Sequence, residues 1–139
     1  MKQSLFIDAN YFCALYNKQD ALHQKAKRFS SELEQYYLAT SNFVLLESYT
    51  VISQRSSKNI VVSFKKYVYS EGNYHIFWVD KGLEEETWKI FASIKDKNFS
   101  YVDASILAVL KKEKIGHLLS FDAGFAQFQK TFGFTLVGA

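Results

Sequence analysis

Apolar residues along the chain fall into short runs separated by longer stretches with helical spacing. Leu5 to Ile7, His75 to Val79, Leu118 to Phe121 and Phe134 to Val137 read as buried strands, with a weaker run near Tyr37 to Ala39. Amphipathic stretches lie between them, at roughly 11–17, 20–35, 42–55, 58–70, 81–95, 101–114 and 122–130. This alternation predicts an α/β fold: a parallel β-sheet flanked by helices on both faces. No repeat, low-complexity tract or linker interrupts the pattern, so residues 1–139 are expected to form a single domain. With no proline in the chain, turns fall to Gly, Asn, Asp and Ser, and helix boundaries are weakly marked.

Four acidic residues break this pattern in informative places. The run Leu5-Phe6-Ile7 stops at Asp8-Ala9-Asn10, and LLSFDAGF delivers Asp122 just after a later strand. In open α/β sheets, ligands bind beyond the carboxyl ends of the strands, which is where both acids should stand. On the helix 42–55, Glu47 lies one turn from Phe43, Val44 and Val51; on 101–114, Asp103 shares a stripe with Ile106, Leu107 and Leu110. Both carboxylates are expected to point inward, with no basic residue on either stripe. Burying an ionised carboxylate costs several kcal/mol unless something pairs with it. One cation serving all four acids removes the difficulty.

The ligand types select the ion. Asp8, Glu47, Asp103 and Asp122 offer only hard oxygen donors, which suit Mg²⁺ or Mn²⁺ rather than zinc. His23, His75 and His117 are scattered and show no zinc-site spacing. Each acid also has a plainer reading. Ser100-x-x-Asp103 suits a capping box, Asp122 a helix N-cap and Asp8 the start of a turn, and a one-position change of register swings Glu47 to solvent.

In order and spacing, FIDAN (Asp8, Asn10), NFVLLESYTVI (Glu47), FSYVDASILAVL (Asp103) and LLSFDAGF (Ser120, Asp122) resemble the PIN-domain nucleases, and within them the VapC-type toxins of toxin–antitoxin pairs. The likeness spans nearly the whole chain. It implies a PIN-like fold and a metal-dependent endoribonuclease that acts on RNA, is silenced by a cognate antitoxin and forms a homodimer. It also implies that Asp8, Glu47, Asp103 and Asp122 are the acidic metal-binding positions, with Asn10 and Ser120 as small polar supporters. Several such nucleases carry a further acid or Asn shortly after the last Asp, whereas this chain has Gly124 and Ala126.

Composition narrows the remaining choices. The chain is 48% hydrophobic and 22% charged, with net charge +3 and an isoelectric point near 8.9, so its surface is mildly basic and compatible with a polyanion. A single cysteine, Cys13, excludes an internal disulfide, and no apolar run approaches membrane-spanning length; a reducing, cytoplasmic setting is expected. Lys25, Lys27, Arg28, Lys65, Lys66, Lys111, Lys112 and Lys114 are candidates for phosphate contacts, and Tyr11, Phe12 and Tyr16 for base stacking, antitoxin contact or core. Other readings meet specific obstacles: Asp8-Ala9-Asn10 lacks the Asp-x-Asp of haloacid dehalogenases, and Cys13 with His23 lacks a third group for thiol hydrolysis. A non-catalytic RNA- or protein-binding scaffold and a housekeeping RNA-processing nuclease stand as the alternatives to a toxin.

Overall fold

The computed structural model describes residues 1–139. Five parallel strands form one sheet in the order β3-β2-β1-β4-β5: β1 (Gln3–Ile7), β2 (Tyr36–Ser41), β3 (His75–Phe77), β4 (His117–Leu119) and β5 (Thr135–Val137). Leu5, Phe6 and Ile7 are buried on both faces, as a central strand of a parallel sheet requires. The chain first winds from β1 outward to β3, then returns to lay β4 on the other side of β1. That reversal opens a crevice at the carboxyl ends of β1 and β4.

Seven α-helices connect the strands: α1 (Ala9–Leu15), α2 (His23–Ser30), α3 (Asn42–Arg55), α4 (Lys58–Lys66), α5 (Lys81–Ser93), α6 (Tyr101–Glu113) and α7 (Gln129–Phe132). Helices α1 to α4 pack on one another, as do α5 with α6 and α6 with α7. Right-handed crossovers account for this division, since connections running towards β3 and those running back must lie on opposite faces. Helices α3 and α6 touch over the strand ends and close the crevice from two sides.

Most expected elements are present, with local departures. The strand expected to run to Phe121 stops at Leu119, because the amide of Phe121 donates to Asn10 Oδ1 (3.0 Å) instead of a ladder partner. The strand expected to reach Val79 likewise stops at Phe77, and the Val79 amide goes to Asn42 Oδ1 (2.7 Å). The stretch 20–35 is divided: α2 ends where Ser30 and Ser31 hydroxyls bond back to the Lys27 and Arg28 carbonyls, and a short 3₁₀ turn, Leu33–Gln35, follows. The stretch 58–70 leaves α4 through a π-turn at Tyr67–Glu71, and 122–130 is a 3₁₀ segment, Ala123–Phe128, running into α7. No helix is long and apolar enough to cross a membrane.

Candidate active site

Asp8 follows β1 directly, and its backbone amide still bonds to the Leu119 carbonyl of β4 (3.0 Å), so the sheet itself fixes the residue. Its carboxylate is held at both oxygens. Oδ1 accepts from the Ala9 amide (2.7 Å) as the N-cap of α1, and Oδ2 accepts from the Ser120 hydroxyl (2.8 Å). Ser120 Oγ in turn accepts from Asn10 Nδ2 (3.1 Å) and from the Asp122 amide (3.1 Å). A hydroxyl has one proton and two acceptor positions, so Ser120 is fully used and its proton is committed to Asp8. Asn10 completes the link through its bond to the Phe121 amide, tying the end of β1 to the end of β4.

Asp103 stands at the third position of α6 in a complete capping box: its amide donates to Ser100 Oγ (3.0 Å) and its Oδ2 accepts from the Ser100 amide (2.9 Å). The plainer reading is therefore realised, and the cap fixes the orientation of the carboxylate. Asp122 N-caps the 3₁₀ segment, with Oδ1 accepting from the Gly124 amide (2.8 Å). At Gly124 an added Cβ would lie 3.0 Å from that oxygen, so the missing side chain is what lets the backbone approach the acid. Where an extra acid was sought, the chain uses a glycine to hold Asp122.

Together, Asp8, Asn10, Glu47, Asp103 and Asp122 line one cleft of about 330 Å³, with Ala9, Cys13, Val51, Arg55 and Ser100 completing its wall. Only Asp8 is truly buried, at 4% exposure. The expectation that Glu47 and Asp103 point inward needs correction: Glu47 is exposed and Asp103 half-buried, because both face the open cleft rather than the core. Ser48 occupies the buried side of α3 that the pattern gave to Glu47, and its hydroxyl bonds back to the Val44 carbonyl (2.7 Å). The expectation that no basic residue shares the stripe also fails. Arg55 lies on the same cleft wall as Glu47 and Val51.

The electrostatics couple the acids. Burial pushes the Asp8 carboxyl up to about 7, against the lowering effect of the Ser120 hydrogen bond, and the charges of Asp103 and Glu47 raise it further. Glu47 is raised by desolvation and by Asp103; Asp103 is raised by desolvation and by Asp122, against its bonds to Ser100. The charge of Asp103 thus acts on both Asp8 and Glu47. No cation answers them, for the sole ion pair in the molecule joins exposed Lys89 and Glu86. No three His, Cys, Asp or Glu side chains gather closely enough to enclose an ion unaided, so the acids form an open wall rather than a cage.

The other candidates separate cleanly. Tyr11 and Phe12 are core, packed edge to face, and Tyr16 is half-buried against Phe64. Lys25 donates to the Gly138 carbonyl and lies over the Phe121 ring. Cys13 reaches the cleft, but burial first and Glu47 second push its thiol up to about 12, and His23 Nδ1 faces the Ala14 carbonyl, so no activated thiol exists.

An acidic crevice at the switch point of a parallel sheet narrows the family, and comparison decides it. The PIN domain profile matches residues 5–130. The chain belongs to the PIN-domain family. It is 30% identical over 122 residues to the 23S rRNA-specific endonuclease VapC20 of Mycobacterium tuberculosis, covering 88% of this chain and 92% of that protein. The crystal structure of VapC20, a sarcin–ricin loop cleaving toxin, superposes with a TM-score of 0.81 at 28% identity over 88% of this chain and 93% of that one. VapBC2 from Rickettsia felis shares the fold at a TM-score of 0.64 and 14% identity, over 96% of this chain and 97% of that one. In this PIN domain the four acids that the sequence motifs single out line one cleft.

Proposed function

We propose that this PIN-domain protein is a Mg²⁺- or Mn²⁺-dependent endoribonuclease, the toxin of a toxin–antitoxin pair, acting in the cytoplasm. The observation that carries the proposal is a cleft wall of four carboxylates, three of them pushed towards protonation, with no ion-paired cation. No cation pairs with these carboxylates, and their oxygen donors suit a hard divalent ion. The open arrangement also suits magnesium, which keeps several waters and takes one or two carboxylates together with a substrate phosphate. The likeness to VapC20, an rRNA endonuclease, supports RNA as the substrate class.

Bound at this donor set, a divalent ion would supply positive charge against the phosphoryl oxygens and would make a water more acidic and hence more nucleophilic. Asp8, Glu47 and Asp103 would hold it, directly or through water. Asp122, at the exposed rim, would share in holding it or accept a proton from the attacking water. Ser120 and Asn10 keep Asp8 aimed into the cleft and need not touch substrate. With a water as the nucleophile and the 3′-oxygen as the leaving group, which takes up a proton, hydrolysis would leave a 5′-phosphate and a 3′-hydroxyl.

An antitoxin and a second copy of the chain are the proposed protein partners. Phe43, Leu46, Val51, Tyr101 and Val102 form an apolar groove that adjoins Glu47, which suits a partner segment able to block the cleft; Trp78 and Trp88 leave further apolar surface exposed. The test is incubation of the purified protein with total cellular RNA in Mg²⁺ or Mn²⁺, beside EDTA. Discrete fragments that require the metal are expected. Equal cutting in EDTA contradicts the proposal.

A further inference from the structure

The acidic cleft has a second, positive end. Arg55 lies on its wall in the last turn of α3, eight residues beyond Glu47 and four beyond Val51. At 1.5 Å per residue it stands about 12 Å along the helix from Glu47 on the same face. It forms no ion pair. Nor is it spent on closing α3, where the Ser56 amide donates to the Ile52 carbonyl and Ser56 Oγ donates to the Tyr16 carbonyl (3.0 Å). The charges that act on Asp8, Glu47 and Asp103 are all carboxylates, whereas that of Arg55 acts on the Cys13 thiol. Glu47 and Asp8 act on that thiol as well, so the guanidinium shares the cleft with the acids while standing two turns along α3 from Glu47.

We infer that Arg55 grips an RNA phosphate neighbouring the one being cut, and so sets the register of the strand across the four carboxylates. The inference rests on the nuclease reading. An acidic wall repels a polyanion everywhere except where a metal sits, so a strand entering it needs a fixed positive anchor at a set distance. A guanidinium with a free planar fork is well matched to two phosphate oxygens, and an anchor of this kind positions the chain without reading its sequence. Arg55 acts on binding, remote from the reacting bond.

Two measurements test it. In the first, binding of a fluorescein-labelled, mixed-sequence single-stranded oligoribonucleotide is followed against salt for Asp8→Asn protein, which leaves the probe intact, with and without Arg55→Gln or Arg55→Lys. The slope of log affinity against log salt should fall by about 0.7 in Arg55→Gln, the value for one phosphate on a single strand, and be kept in Arg55→Lys. In the second, cleavage by otherwise wild-type protein should show KM raised about tenfold by Arg55→Gln with kcat within about threefold, and a smaller rise for Arg55→Lys, which keeps the charge but loses the fork. Thermal melting checks that the variants fold. If wild type cleaves RNA while slope and KM are unmoved by Arg55→Gln, the assignment of Arg55 is overturned and the nuclease stands. If kcat collapses with KM unchanged, Arg55 acts on the transition state and the anchor is overturned. If wild type cuts no RNA, the underlying reading falls and takes the anchor with it.

Discussion

Asp8 meets two opposed demands: it is buried like a core residue, and the proposed function requires it ionised to hold a cation. Its carboxyl, pushed up to about 7 by burial, lies above the ordinary 3.8, so the folded protein binds this proton more tightly than the unfolded chain. Between about pH 4 and pH 7 the folded state therefore holds the extra proton, and stability contributed by neutral Asp8 is lost as pH rises through that window. Asp8→Asn removes the titration. It also places a donor against Ser120 Oγ, which already accepts two hydrogen bonds, a cost of about 1 kcal/mol. Thermal melts in EDTA should thus cross: the variant melts below wild type at pH 4 and above it at pH 8, with no RNA cleavage at either. Parallel curves across the window would show that Asp8 is not the strained group. The same comparison explains what was legible at this scale. Asp8, Asp103 and Asp122 announce themselves as acids at strand ends and caps, whereas Arg55 was hidden because its partner in function lies two turns away, and Glu47 reads as buried only if Ser48 is overlooked.

At the scale of elements, each acid is aimed by the start of a helical segment. Asp8 caps α1, Asp103 closes the capping box of α6, and Asp122 caps the 3₁₀ segment, so the plain structural reading and the functional one describe the same hydrogen bonds. Glu47 is the exception, set mid-helix on α3, whose start is fixed by the Ser41 hydroxyl accepting from the Val44 amide (3.2 Å). This makes Gly124→Ala a sharp probe. The new Cβ, 3.0 Å from Asp122 Oδ1, forces the acid or the 3₁₀ turn to shift by a few tenths of an ångström. Cleavage should fall about tenfold or more while the melting temperature drops by only a few degrees, since the residue lies outside the core. Unchanged cleavage would remove Asp122 from the chemistry. The strand ends were misjudged in sequence for a related reason. Asn10 and Asn42 draw the Phe121 and Val79 amides out of the ladder, and no local pattern reveals a bond that spans 111 or 37 residues.

For the whole molecule, the order β3-β2-β1-β4-β5 does the work of assembly. Acids separated by more than a hundred residues meet because β1 and β4 are neighbours and because α3 and α6 cross the strand ends from opposite faces. Alternating strands and helices made the layered architecture readable, while the meeting of the acids had to await topology. The account's central claim is that these carboxylates, with a divalent ion, direct water at an RNA phosphate. End-group mapping of the fragments from one defined RNA tests it most directly, with wild type and Asp8→Asn run side by side in Mg²⁺. The prediction is 5′-phosphate and 3′-hydroxyl ends from wild type and no fragments from the variant. Fragments ending in 2′,3′-cyclic phosphate, or equal cutting by Asp8→Asn, would place the chemistry elsewhere and contradict the account.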